Sequence, residues 1–469
     1  MPDASIKFER EQSSPNEVFA ADGKPRSLYA PVLDEMGRTG VGEWNRRIRA
    51  AHERLLDVQR DLGITGEDRS HPTDYVPRLI PATDWAVIEK GLAQRMLAIN
   101  EFLRRLEAGK QEIVPKEVLQ SSTLYDPSNP DRLGRVPNRQ MGFDLVAVQR
   151  PTGGAEGWEY VVIEDNAKMP VGIEPMLLTR GVTAGVLPES YAALGVRPLD
   201  GLMRRFGEVI RTASPASNPT LAIISAGPDD QYYLDHNVFA SELDAILAER
   251  HEVELDRDGY LIHRGSGRRI DIIYERIESG RIYDDLPGLV RAQAEGKVSA
   301  VFAPSLGIAD DKGVYPFIPE MIRAYLGEEP VIQNVETFSL AVEEERRYVM
   351  DNFGDLVVKS RSGWGGKDVM IGPEETRETV EEFRRQVEAN PIEYIAQKVV
   401  DFSTHVLCET AGDGFVLRDS HADYRVHALA PDEQTVEVVP GAMTRVAAPG
   451  SKLVNVSSGG KIKDTWVLR

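Results

Sequence analysis

WEYVVIEDN, residues 158–166, is the stretch on which the reading of this chain turns. Its alternation of apolar and polar side chains is that of a β-strand, whose side chains change face at every residue. On a regular strand Tyr160, Val162, Glu164 and Asn166 share one face, and Val161, Ile163 and Asp165 the other. Glu164 and Asn166 then emerge together at the strand's end, a carboxylate beside an amide oxygen, which suits a hard divalent cation such as Mg²⁺. Just upstream, Phe143 to Val148 also alternates, and Pro151 to Gly157 is a loop with three glycines. Two alternating runs joined by such a loop predict a β-hairpin. Across it Asp144 faces Glu164 and Asn166.

The partners for that carboxylate pair lie far downstream. Leu356 to Lys359 reads as a strand, SRSGWGG at 360–366 as a glycine-rich turn, and Asp368 to Ile371 as a returning strand. Glycines let backbone N–H groups approach phosphate oxygens, and a lysine at the base of the turn adds a point charge. Lys312 follows GIADD at 307–311, and Arg425 and Arg445 stand further on. Singly these are ordinary surface cations. Together, two lysines, a glycine loop, two arginines and an Asp/Glu/Asn set make the parts of a phosphoryl-transfer site, where catalysis is mostly positioning and charge neutralisation. There is no GxxxxGK[ST] P-loop, no GxGxxG, HExxH, GxSxG or CxxC.

The composition is that of a globular chain of two or three domains: 469 residues, 41% hydrophobic, 28% charged. A net charge of −20 argues against nucleic acid or an anionic membrane as the main partner. The single cysteine, Cys408, excludes an intramolecular disulfide and a cysteine metal cluster. The polar N-terminus and the absence of a long apolar run predict a cytoplasmic protein. Helical periodicity marks Trp44 to Leu62 and Trp85 to about Glu107, the second with Asp84 as N-cap. Between a polar link at 214–219 and residue 302, the runs Leu221–Ser225, Asp271–Tyr274 and Val298–Phe302 alternate with helical stretches at Asn237–Arg250 and Leu286–Glu295. That alternation predicts an α/β unit with a partly parallel sheet. Glu374 to Asn390 reads as an amphipathic helix and Tyr394 to Val400 as a strand.

From about residue 16 onward the sequence resembles the circularly permuted ATP-grasp proteins related to glutathionylspermidine synthase. The motifs that carry the likeness are GFDLV (142–146), IEDNAKMPVG (163–172), ADDKGVYPFIPEMIRAYLGEEP (309–330), VVKSRSGWGGKDVMIG (357–372), YIAQKVV (394–400), DYR (423–425), GAMTRVA (441–447) and KDTWVL (463–468). The resemblance implies an α/β ATP-grasp fold in permuted order. A mainly helical region (1–135) would lead into the metal-binding hairpin segment (136–215), a pre-ATP-grasp-like α/β domain (216–330) and a nucleotide-binding core (331–469). It implies Asp144, Glu164 and Asn166 as metal ligands, and Lys312 and Lys359 on the α- and β-phosphate side. Ser362, Gly363, Gly365 and Gly366 would lie in a loop over the triphosphate, and Gln397, Lys398 and Val399 along the adenine edge. Asp423 and Arg425 match a D-x-R element, and Arg445 the arginine near the γ-phosphate, so Lys359, Arg425 and Arg445 are the expected catalytic cations. Where the family has N-x-R-x-P-S-G, this chain has Lys168 and Val171, and Lys398 stands where an acidic residue is common. The implied cofactors are ATP with Mg²⁺ or Mn²⁺, and the implied partners a carboxylate and an amine, with a homo-oligomer left open. The implied activity is a carboxylate–amine ligase working through an acyl-phosphate. A non-catalytic nucleotide-binding scaffold and a phosphotransferase to a non-carboxylate acceptor remain the alternatives.

Overall fold

The computed structural model describes residues 6–64, 68, 70–125, 135–150, 157–277, 281–301, 304–363, 369–454, 456 and 459–469. The expected hairpin forms: Gln140–Gln149 pairs antiparallel with Trp158–Asn166. It lies near one edge of a nine-stranded sheet whose spatial order runs Gln333–Asn334, Trp158–Asn166, Gln140–Gln149, Gly414–Leu429, Glu437–Val446, Lys461–Val467, Arg78–Ile80. Two further strands, Ile6–Glu9 and Thr404–Ala411, pair with the first half of Gly414–Leu429. Strands from distant parts of the chain thus build one sheet, and the 140–166 hairpin is continued laterally by residues more than 250 positions downstream.

One face of this sheet is apolar and is covered by the helix Ala82–Glu107. Its Ile88, Leu92, Met96, Phe102 and Leu103 join Phe143, Leu145, Tyr424 and Val426 in the largest core. Each such side chain removed from water stabilises the fold by roughly 1.5–3 kcal/mol. The helix begins after Pro81, and Asp84 is not its N-cap. Asp84 sits in the first turn and accepts a 2.8 Å hydrogen bond from the Tyr160 hydroxyl. The other predicted N-terminal helix is longer than its apolar pattern, running Ala30–Asp61 with a break at Gly40, whose φ is 66°.

The strict alternation read for residues 160–166 is also corrected. Asp144 pairs with Glu164, but Leu145 pairs with Val162, so Ile163 is the extra residue of a β-bulge. Tyr160 and Val162 join the helix-covered core, while Glu164 faces with Asp144 to the opposite side. The bulge inserts one residue, and one residue is enough to exchange faces.

Two smaller sheets flank the large one. Thr337–Ser339, Tyr394–Lys398, Leu356–Ser360 and Val369–Ile371 form an antiparallel sheet backed by the helices Glu343–Asp351 and Arg377–Ala389. Ser299–Ala300, Ile272–Glu275, Leu221–Ser225 and Ile246–Glu249 form a wholly parallel sheet in that order, the expected α/β unit. Here the helix expected over Asn237–Arg250 stops early. It spans Tyr233–Glu242, Asp244 takes a left-handed φ of 48°, and Ile246–Glu249 continues as a strand. The helix expected over Leu286–Glu295 is Leu289–Ala294, because Pro287 and Gly288 precede its first turn. A three-stranded meander at 253–270 had no signal in the sequence reading. The C-terminal KDTW motif is a structural staple: Lys463 pairs with Asp74, and Asp464 accepts from Arg180 (2.7 Å) and Trp466 (2.6 Å). Among the described residues, no helix is long and apolar enough to cross a membrane.

Candidate active site

The register of three strands assembles the charged groups. Directly opposed residues point to the same side of a sheet. Glu164 opposes Asp144, Asp144 opposes Arg425, and two residues along the same strand Asp423 opposes Arg445. All five therefore project from the face that the Ala82–Glu107 helix leaves uncovered. Asn166 opposes Gly142 on the same row. Gly142 has a steric reason to be glycine, since a Cβ there would lie 2.9 Å from Pro170 and 3.2 Å from the Arg425 side chain.

Asp144 is the hub of this row. Arg425 grips it bidentately (2.6 and 2.8 Å), and Arg445 reaches it at 2.8 Å while holding Asp423 with two further bonds of 2.8 and 2.7 Å. Burial opposes ionisation of Asp144, but the two guanidiniums outweigh it and hold the carboxyl well below the usual range. Asp423 is pushed the other way: burial raises it in spite of Arg445.

Beside this row lies a narrow cleft between the large sheet and the antiparallel sheet. Glu164, Asp310, Lys312, Tyr315, Lys359 and Gln397 are among its walls. The large sheet contributes Glu164, and the antiparallel sheet contributes Lys359 and Gln397. Lys312 comes from the loop after the 304–310 turn. Its ammonium pairs with Glu164 at 3.1 Å and donates to the Gly363 carbonyl at 2.7 Å. Burial disfavours the Glu164 carboxylate, yet Lys312, with Lys359 and Arg425, holds its pKa below the ordinary value. Burial depresses the Lys359 ammonium.

Of the residues singled out in the sequence, Asp144, Glu164, Lys312, Lys359, Gln397, Asp423, Arg425 and Arg445 meet around this cleft and its adjoining row. Asn166 stands on the same row as Asp144, opposite Gly142, and its amide nitrogen has no hydrogen-bond partner. Others stand apart. Lys398 is exposed and paired with Glu336 at 2.6 Å, Val399 is exposed, and Ser362 is exposed. Gly363 contributes its carbonyl, while Gly365 and Gly366 lie outside the described residues.

Three residues escaped the sequence reading. Asp310 accepts the backbone N–H groups of Ala167 and Lys168 with one oxygen and so pins the strip after Asn166. Burial pushes its carboxyl up to about 6. Arg361 and Asp311 form a buried bidentate pair (2.8 and 2.7 Å) at the foot of the glycine loop. The acidic dipeptide Asp310-Asp311 directly before Lys312 was the available signal.

Asp144 and Glu164 are carboxylates adjacent on one face, the donor type a divalent cation takes, and Asn166 stands on the same row. Among the described residues there is no group of three His, Cys, Asp or Glu that could hold a metal.

Comparisons with known proteins bear on the family and the fold. Residues 77–447 match the family model described as circularly permuted ATP-grasp type 2. A Frankia alni protein that carries the provisional name glutamate–cysteine ligase 2-3 is 34% identical over 99% of this chain, and this chain spans 55% of its length. A second Frankia protein with a similar name is 33% identical, with 54% of its length spanned, so the chain covers about half of each. An uncharacterised Synechocystis protein is 32% identical over 97% of both chains. Among solved structures, the apo form of a glutathione synthetase-like effector from Globodera pallida superposes with a TM-score of 0.58 at 8% identity, covering 89% of this chain and 96% of the effector.

Proposed function

Because the chain belongs to the circularly permuted ATP-grasp type 2 family, we propose that it is an ATP-dependent carboxylate–amine ligase that works through an acyl-phosphate. The observation that carries the reading is the convergence of Lys312, Lys359, Glu164 and Gln397 on one cleft, next to the Asp144–Arg425–Arg445 row. In this reading the base edge of ATP lies toward Gln397, and its phosphates run between the two lysines toward the arginines. Mg²⁺ or Mn²⁺, when bound, would be held by Glu164, Asn166 and Asp144 and would neutralise phosphate charge.

The chemistry has two steps. A substrate carboxylate oxygen bonds to the γ-phosphorus as the bond to the bridging oxygen breaks, and ADP leaves. The amine nitrogen then bonds to the acyl carbon, phosphate departs with the bonding pair, and the nitrogen loses a proton to give the amide. Arg425 and Arg445 would neutralise the charge that builds at the γ-phosphate. Gly363, the last described residue of the glycine turn, accepts a hydrogen bond from Lys312, and closure of the turn would keep water from the acyl-phosphate.

One observation favours a second reading, a nucleotide-binding scaffold without turnover. The Asp144 oxygens are already taken by two arginines and Glu164 by Lys312, so the acidic groups are neutralised from within the chain. The two readings separate on Glu164→Gln. The ligase reading expects wild-type ADP release with a suitable acid and amine, and its loss in the variant with nucleotide binding retained. ADP release at the wild-type rate in Glu164→Gln would remove the assignment of that residue, and no release by wild type with any acid and amine would favour the scaffold.

A further inference from the structure

A second polar centre lies on the same side of the sheet, beyond Pro170–Gly172. Arg276 and Glu174 form an ion pair at 3.1 Å, and both are almost fully buried. Arg276 also donates to the Pro170 carbonyl at 3.3 Å. The pair is incomplete on both sides: Arg276 Nε and Glu174 Oε2 have no hydrogen-bond partner. Nor does either nitrogen of the fully buried His427, which feels the charge of Arg276. His427 lies on the Gly414–Leu429 strand two residues after Arg425, and its Nε2 would be 3.1 Å from a Cβ placed at Gly172. Burial, reinforced by the charge of Arg425, lowers its pKa to about 3, so the imidazole is neutral and offers one donor and one acceptor. Buried polar atoms are nearly always partnered, and several unpartnered ones in one place call for a bound group.

The backbone topology marks the same place. In the parallel sheet Leu221–Ser225 and Ile272–Glu275 are neighbours, with Ile246–Glu249 added outside the first and Ser299–Ala300 outside the second. Strand order therefore reverses between the two inner strands. In open parallel sheets ligands bind outside the carboxyl ends at that reversal. Glu275 is the last residue of one inner strand, and Arg276 is the next residue in the chain. The half-buried Tyr232 feels the charges of both Arg425 and Arg276, and Arg425 itself reaches the Val171 carbonyl at 3.4 Å. The centre thus adjoins the phosphate row.

We infer that this centre binds the amine substrate and that the substrate is an α-amino acid, its carboxylate taken by Arg276 and its ammonium by Glu174. A lone anion would meet Glu174 and the neighbouring Asp235, and a lone cation would meet Arg276. A zwitterion satisfies the open donor and the open acceptor that one ion pair leaves side by side. The assignment of this ligand as a substrate rests on the ligase reading, but its binding does not.

The test is calorimetry on the full chain without nucleotide, with three sets of probes: the standard L-amino acids, their α-amides, which lack the carboxylate, and the matching desamino acids, which lack the ammonium. At least one free amino acid is expected to bind, with its amide and desamino forms weaker by about tenfold or more. Glu174→Gln is expected to weaken the free amino acid by a similar factor. Should that variant not fold, His427→Gln, which alters a neutral group, is expected to weaken it several-fold. Overturning outcomes are no binding by any amino acid, equal binding by the blocked analogues, or unchanged binding in the folded variants. The centre then holds water only. Amino-acid binding in a chain that never releases ADP would support this inference and sink the ligase reading. ADP release without any amino-acid binding would do the reverse.

Discussion

Arg361 uses every N–H it has. Nε and Nη2 hold Asp311, Nη1 donates to Ser121 and to the Ile392 carbonyl, and Nη2 donates also to the Val118 carbonyl. It follows Ser360 at the end of the Lys359 strand, and Asp311 precedes Lys312, so this one pair ties together the segments that carry both cleft lysines. Nothing in the sequence separates Arg361 from a solvated surface arginine, because its partners are distant along the chain. Arg361→Met leaves Asp311 buried without its partner, a loss of roughly 3–5 kcal/mol, measurable as a fall in denaturation midpoint. Arg361→Lys keeps the charge without the fork. In that variant we expect KM for ATP to rise more than kcat falls, and an unchanged KM would show that the pair is structural only. Asp310 gives a pH signature. Its folded-state carboxyl lies at about 6 against an ordinary value near 3.8, because burial disfavours the charge. The folded chain therefore holds this proton more tightly, and Asp310 contributes stability below pH ~4 that is lost as pH rises through ~6. Asp310 is only half-buried, so the expected change is about 1–2 kcal/mol. Asp310→Asn removes that dependence. Denaturant unfolding of both proteins at pH 4 and pH 7 checks it, and parallel pH profiles would contradict it.

At the scale of elements, periodicity identified the hairpin, the Ala82–Glu107 helix and the strands of the α/β unit, because each carries an apolar face that neighbouring structure must cover. The misses have local causes. The bulge at Ile163 leaves no trace in composition, yet it decides that Glu164 faces the cleft while Val162 faces the core. The run Asn237–Arg250 keeps helical periodicity past residue 242, and the left-handed Asp244 is what breaks it. The meander at 253–270 is short and largely polar, so neither period rises above its background. The candidate site divides in the same way. Metal-type and phosphate-type residues were legible through the family's motifs, whereas the Arg276–Glu174–His427 centre matches no motif and depends on which polar atoms the packing leaves unpartnered.

The whole molecule is organised by one sheet that draws strands from residues 6–9, 78–80, 140–166, 333–334 and 404–467. The early hairpin supplies acids, the late strands supply arginines, and the antiparallel sheet brings Lys359 across the cleft. No segment alone contains a site, which accounts for the weakness of each motif in isolation and the strength of their sum. The central claim is that this assembly makes an acyl-phosphate from ATP and a carboxylate. Its most direct test is incubation of the full chain with ATP, Mg²⁺ and a panel of carboxylic acids in the presence of hydroxylamine, with hydroxamate and ADP measured together by mass spectrometry. The account predicts equal amounts of hydroxamate and ADP for at least one acid, with both lost in Glu164→Gln. Acid-dependent ADP release with no hydroxamate would contradict it.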